Sequence, residues 1–416
     1  MKNLTKLLAL VLCFALVAGC GSLLEGDYTS VQKHVVAVEP EREAPVVIEA
    51  DEYEEITGAL LTMIAAGRPS GVIRVLGSYA GDVEEDVNRA CMEVSVDTPL
   101  GAWAVYYIAC TVNRIISYYD AEISITYKKT PLEIANVASI RSEAMLTGEL
   151  RYLMGTYQDG EAMRLSFGET AAEDVLKKVE SIYYDDPSLS VLLPEVSVSF
   201  YPETGKERIM ELRLQYPYTA ARLGDMQEKQ NEAVRELAEE VRGLEKIDAL
   251  FALCYTFCDT VEYDPTEELS GEYHRQARVN LAYGALIDGK ATGEGFAMAM
   301  KLLCDELDIP SYVVSGRRDS IDHCWNMVRL DGSWYHLDVS IFDPEDPFRA
   351  FLCDDETMLL HCWWDNTLYP VCGGPLSERE EEEEPTEPEE TPAPTETPPE
   401  SGETPSPEVT EEPVEA

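Results

Sequence analysis

His323 and Asp338 are the residues of this chain best placed to do chemistry, because the sequence between them predicts a tight hairpin. Asp331-Gly332 sits between two alternating runs, Ile321 to Leu330 and Ser333 to Ser340, which is a strong signal for a two-residue turn. Such a turn sets Leu330 against Ser333, Trp325 against Asp338 and His323 against Ser340. With a side-chain period of two, His323, Trp325, Asp338 and Ser340 then share one face, and Asp338 lies diagonal to His323. An imidazole oriented by a carboxylate can carry protons to and from a nucleophile or a bound water. Upstream, Gly289-Lys290-Ala291-Thr292-Gly293-Glu294-Gly295-Phe296 opens an apolar helical run, Ala297 to Leu307, that Pro310 stops. The start of that helix offers backbone N–H groups to a carbonyl or carboxylate.

Taken together these segments resemble the core of the transglutaminase-like superfamily, whose fold is papain-like. The family pattern is a Gly-Lys-x-x-Cys-Glu-Gly-Tyr turn, a His-x-Trp-Asn strand and a Trp-Tyr-His-x-Asp strand followed by Asp-Pro. The chain has Gly289 to Phe296, His323-Cys324-Trp325-Asn326, Trp334-Tyr335-His336-Leu337-Asp338 and Asp343-Pro344. The likeness spans about residues 225 to 350, and the helical run Glu245 to Val261 with Glu262-Tyr263-Asp264 resembles the segment that precedes the family's turn. The resemblance implies cysteine acyl transfer with no cofactor, in which a thiolate at a helix N-terminus, paired with an imidazolium, attacks an amide carbonyl. It makes His323 and Asp338 the catalytic His and Asp, and it puts Gly293 at the nucleophile position.

Glycine cannot attack anything, so a substitute is needed if there is catalysis. Strand alternation turns Cys324 away from His323. Cys304 lies eleven residues past Gly293, about 16 Å along the helix. Thr292 is the nearby hydroxyl and a poor replacement for a thiolate. The expectation is a catalytically inactive domain whose cleft binds an envelope peptide, glycan or protein. Gly293 would enlarge that groove, and Glu294 and Trp325 would join it as binding residues. Two alternatives stay open. One is an acyltransferase or hydrolase using Thr292 or a water polarised by His323. The other is a structural envelope component, with His323 and Asp338 only a polar pair between strands. Trp325 and Trp334 fall on opposite faces and fit a core role better than a ligand platform, and His336 reads as packing or solvent facing.

The elements that must position this site divide the chain. Val46 to Ala50 predicts a first strand. An amphipathic helix, Asp51 to Ala66, a strand, Gly71 to Gly77, and a helix, Asp82 to Glu93, follow. Ile116 to Tyr119 with Ile123 to Tyr127 parallels Val198 to Tyr201 with Met210 to Leu214. Each reads as strand, turn, strand after a helix, the second helix being Ala171 to Tyr184, so an internal duplication is expected. A long helix, Asp225 to Leu244, opens the second domain. The fold class is α+β throughout: an α+β domain over 49–222, then the transglutaminase-like domain over 223–375 with an antiparallel sheet and the Gly293 helix.

Composition bounds the partners. The 416 residues carry a net charge of −47; 16 Glu and one Arg between Ser377 and Ala416 account for −15 and leave −32 elsewhere. So acidic a surface repels phosphate backbones, which excludes nucleic acid as a partner. The segment 376–416, rich in Glu, Pro and Thr, lacks apolar area to offset chain entropy and is expected to be disordered. At the other end Lys2, Lys6 and the apolar run Leu7 to Val17 have the layout of an export signal over 1–19. Val17-Ala18-Gly19-Cys20 resembles a bacterial lipobox, which implies a fatty-acylated, palmitate-type anchor on Cys20, a tether over 20–48, and an extracytoplasmic protein held on the cell membrane. Of 11 Cys, nine remain after Cys13 and Cys20, so complete pairing is excluded. Cys254 and Cys258 are expected to be buried apolar residues. Cys353, Cys362 and Cys372 could pair in an oxidising envelope, and no spacing argues for a metal.

Overall fold

A computed structural model describes residues 46–269 and 274–373. The expected signal segment, Cys20, the expected tether up to residue 45 and the acidic segment 376–416 lie outside these residues. Among the described residues no helix is long and apolar enough to cross a membrane.

The fold is mixed α+β. It opens with β1 (Val47–Ala50), α1 (Tyr53–Ala65), β2 (Ser70–Leu76), α2 (Val83–Asp97), α3 (Pro99–Ala104), β3 (Val105–Ile115) and β4 (Tyr118–Tyr127). The strands pair in the order β1-β2-β4-β3, parallel for β1 with β2 and antiparallel elsewhere. α1 buries Ile56, Ala59, Leu60, Met63 and Ile64 at helical spacing against this sheet. Asp82 starts α2 by accepting from the N–H groups of Glu84 and Glu85.

The next stretch repeats that order with new elements: α4 (Pro131–Ala135), β5 (Ala138–Ile140), α5 (Glu143–Gly155), β6 (Gly160–Leu165), α6 (Ala172–Asp185), β7 (Glu195–Tyr201) and β8 (Arg208–Gln215). These strands run β5-β6-β8-β7, again parallel for the first pair and antiparallel for the rest. The expected strand–turn–strand at Ile116 to Tyr127 is corrected by the structure: the turn lies at Ile116-Ser117, and Tyr118–Tyr127 is one continuous strand. Asp120 looks like a turn residue, but it sits opposite Arg74 of β2 and binds it at 2.9 Å, so strand pairing absorbs its charge.

The remainder contains α7 (Ala220–Val241), capped by Thr219, α8 (Lys246–Thr260), β9 (Glu262–Tyr263), α9 (Thr266–Leu269), a π-turn at Gly284–Asp288, β10 (Lys290–Ala291) and α10 (Gly293–Glu306). After these come β11 (Ser311–Arg318), β12 (Ile321–Leu330), β13 (Ser333–Leu337), β14 (Phe351–Cys353), α11 (Asp355–Met358) and β15 (Cys362–Trp364). An antiparallel sheet runs β14-β13-β12-β11-β15. The β12–β13 hairpin turns at Asp331-Gly332, both at positive φ (46° and 94°), and its register sets Leu330 against Ser333.

The first unit packs its own core around Ile56, Ile73, Val87 and Trp103. The second shares one core with the rest of the chain, from Leu150, Val179 and Leu212 through Val234 and Phe257 to Phe296, Val328 and Leu337. α6 packs against β11 and reaches α10, the helix that begins at Gly293, through Tyr184 and Glu294. Cys254 is buried as expected. Cys258 is exposed, because it falls in the last turn of α8 beyond the packed stripe.

Candidate functional site

The site forms where the start of α10 meets the first residues of β12. Thr292 caps the helix: its hydroxyl accepts from the Gly295 N–H at 3.4 Å and donates to Asn280 Oδ1 at 2.8 Å. The residue is fully buried. A hydroxyl committed in both directions and sealed from solvent is not poised to attack a substrate, which removes Thr292 as a stand-in nucleophile.

Across from the cap, His323 and Asp338 meet as hairpin parity requires, with Nε2 2.9 Å from Asp338 Oδ2. Asp338 is buried and also accepts from the Ser340 hydroxyl at 2.6 Å and the Ser340 N–H at 3.2 Å. Burial works to raise its carboxyl, and His323 and Ser340 outweigh that, leaving it below the usual carboxylate value. The other ring nitrogen of His323 faces a second carboxylate, Glu268 Oε1 on α9, at 3.6 Å. Burial alone would lower the imidazole; Asp338 and Glu268 together push it up to about 9. At neutral pH His323 is thus an imidazolium with both N–H groups aimed at carboxylates, and it has no lone pair with which to accept a proton.

Gly293 is not the opening that the sequence suggested. A Cβ built on it would lie 2.3 Å from His323 Cε1, 2.5 Å from Nδ1 and 3.0 Å from the Cys324 carbonyl oxygen. The imidazole occupies the space where a nucleophile's side chain would begin, so glycine here lets the ring close down instead of enlarging a groove. The expected backbone anion seat is corrected as well, since the Gly293 N–H donates to Glu268 Oε1 at 2.8 Å and the Gly295 N–H to Thr292.

The cavity beside this pair measures about 500 Å³. Glu180 and Tyr184 of α6, Arg275, Glu294, Cys324 and Trp363 are among its walls. Glu294 is buried and takes a 2.5 Å hydrogen bond from the Tyr184 hydroxyl. Burial raises its carboxyl to about 8, so it is largely uncharged at neutral pH. Trp325, expected as a binding residue, is corrected to a core residue. It is 1% exposed, packs with Val314, Met327 and Trp364, and donates its indole N–H to His336 Nδ1 at 2.9 Å.

Cys324 does turn away from His323, and the side it turns to is the cavity wall. Its sulfur lies 3.7 Å from Ser315 Oγ. Burial and the Glu294 carboxylate push its thiol well above the ordinary value, so it carries no thiolate. Cys304 is buried within α10.

His336, Asp355 and Cys372 cluster closely enough to hold an ion. Trp325 fixes the tautomer of His336, though: Nδ1 accepts, so Nε2 carries the proton that it gives to Asp355 at 2.9 Å. With both ring nitrogens committed, the trio works as a hydrogen-bonded knot under the sheet. The sequence reading missed Glu268, Tyr184, Glu180, Arg275 and Trp363. Tyr263 of the segment before the turn was the nearest available signal, and its hydroxyl donates to Glu268.

Residues 235–339 match the model of the transglutaminase-like superfamily. No curated protein matches the chain. Among solved structures, a TGase is similar at 14% identity and a TM-score of 0.26, covering 53% of this chain and 61% of that one. A cysteine-protease candidate from Cytophaga hutchinsonii is 15% identical with a TM-score of 0.23, over 43% of this chain and 70% of that one. A protease candidate from Parabacteroides distasonis is 8% identical with a TM-score of 0.21, over 64% and 39%. The chain thus spans less than two thirds of the length of the TGase.

Proposed function

With residues 235–339 forming a transglutaminase-like domain, we propose that the chain is a non-catalytic member of that superfamily, an extracytoplasmic lipoprotein whose cleft binds an envelope peptide, glycan or protein. One observation carries this reading: the His323 ring lies over Gly293 where a nucleophile's Cβ would stand. Three facts support it. The Thr292 hydroxyl is consumed as a helix cap, Cys324 is held as a thiol, and His323 is paired on both nitrogens. What remains is a cavity with both apolar and polar walls, whose Arg275–Glu180 ion pair and buried Glu294 can exchange hydrogen bonds with a ligand.

Membrane attachment belongs to the same proposal and rests on Cys20 and its flanking residues. Labelling cells with radioactive palmitate tests it: the label should enter the protein and be lost in Cys20→Ala. An unlabelled wild-type protein would remove the anchor. For the domain, purified protein should release no ammonia from glutamine peptides and should not cleave peptides. Release that disappears in His323→Ala would restore the enzymatic reading.

A further inference from the structure

In the chemistry that the superfamily resemblance implies, a thiolate satisfies two neighbours at once: the N–H groups at a helix start and an imidazolium. Removing the thiol should leave both unsatisfied, and a buried imidazolium with a vacant partner side is costly. The structure does not leave them so. Glu268 Oε1 accepts from the Gly293 N–H at 2.8 Å and lies 3.6 Å from His323 Nδ1, while the other oxygen of the carboxylate takes the Tyr263 hydroxyl. Its side chain is 5% exposed. Burial acts to raise this carboxyl, and His323, Tyr263 and the Gly293 N–H outweigh it, so it is ionised at neutral pH.

We propose that Glu268 has taken over the electrostatic place of the missing thiolate, acting as the positioning residue that holds the His323 ring down over Gly293 between two carboxylates. Both halves of the claim follow from one carboxylate oxygen reaching both groups. It rests on the reading of Gly293 as the nucleophile position. Glu268 is carried by the four-residue α9 and lines the cavity beside His323. The cleft is thereby self-occupied at its nucleophile end.

Other charged or titratable groups face His323 too. Asp338 holds Nε2, with Arg318 3.7 Å behind it; Tyr263 lies behind Glu268; Glu294 and Cys324 stand along the cavity wall. Asp338 and Glu268 meet different ring nitrogens, so Glu268→Gln removes one carboxylate partner of His323 and leaves the other in place.

The test uses the full chain with ¹⁵N-labelled histidine, His323 being assigned by comparison with His323→Gln. In the wild type, the His323 ring should stay doubly protonated until pH approaches about 9. Glu268→Gln should lower that midpoint by at least one pH unit, a 10-fold change in proton affinity. A second measurement follows alkylation of the introduced thiol in Gly293→Cys by peptide mass spectrometry. With Glu268 present the thiol should react slowly at pH 6.5; in Gly293→Cys/Glu268→Gln it should react at least 10-fold faster, the vacated seat then favouring thiolate. An unchanged His323 midpoint in Glu268→Gln overturns the proposal. So does a thiol that is no faster in the double variant, and neither result touches the non-catalytic reading of the domain, which the ammonia assay on wild-type protein decides separately. If Gly293→Cys does not fold, the His323 midpoint in Glu268→Gln decides alone.

Discussion

Gly293→Ala is a one-methyl perturbation whose sign separates this account from an ordinary helix start. At the first residue of α10, alanine should stabilise by roughly 0.5–1 kcal/mol relative to glycine. The structure predicts the opposite. The new Cβ would stand 2.3 Å from His323 Cε1, so the ring must swing off, and it can do so only by leaving Glu268, Asp338 or both. Breaking a buried charge pair costs about 3–5 kcal/mol, which leaves a net loss of about 2–4 kcal/mol after the helix gain. His323→Ala alone is destabilising because it strands two carboxylates, yet it removes the obstacle. In that background the nearest atom left to the methyl is the Cys324 carbonyl oxygen, at 3.0 Å, and Gly293→Ala should come within about 1 kcal/mol of neutral. Urea unfolding of the four proteins, read by tryptophan fluorescence, gives the coupling directly; about 2–4 kcal/mol is expected. A Gly293→Ala variant as stable as wild type, or additive with His323→Ala, would refute the claim that the ring fills the nucleophile's space.

Three further outcomes follow from the same geometry. The folded-state pKa of His323, about 9, lies above its unfolded value of about 6.5, so its stabilisation of about 3 kcal/mol is complete below pH 6.5 and lost as pH rises through 9; wild type and His323→Gln should converge in urea midpoint over that window. Glu294, raised to about 8, favours the folded state fully below its unfolded value and loses that contribution as pH rises through 8. Glu294→Gln should remove this slope and be more stable above pH 8 by up to about 5 kcal/mol, as pH-dependent thermal unfolding would show. Trp325→Phe leaves His336 Nδ1 without its donor and should cost about 1–3 kcal/mol in urea unfolding without altering ligand binding, since the indole is outside the cavity.

How far the sequence could be read depended on whether local rules governed each part. Asp331-Gly332 dictates a two-residue turn, and from it the meeting of His323 with Asp338 follows by counting. The body of α10 was legible from the apolar run Ala297 to Leu307, but its first turn begins earlier, at Gly293, where the Thr292 hydroxyl caps it. The closing of the ring over Gly293 was not, because it depends on a carboxylate from α9, far away in sequence and adjacent only in the fold. Glu294 was legible as a binding residue from its place in the turn, but its uncharged state was not: burial produces it against the lowering effect of the Tyr184 hydrogen bond, and no local pattern encodes that burial. The turn misplaced near Asp120 has the same origin, since Arg74 on another strand neutralises what alternation alone would exclude from a strand. Trp325 was ambiguous for a different reason: hairpin parity puts it on the face of His323 but does not give how deep it sits, and its ring is buried among Val314, Met327 and Trp364.

Whether the domain is catalytic is decided by an ammonia-release assay on the full chain, with glutamine peptide and a primary amine, across pH 6–10. The account predicts no release above buffer at any pH, since deprotonating His323 near pH 9 still provides no nucleophile. Release by the wild type that is abolished in His323→Ala would contradict it.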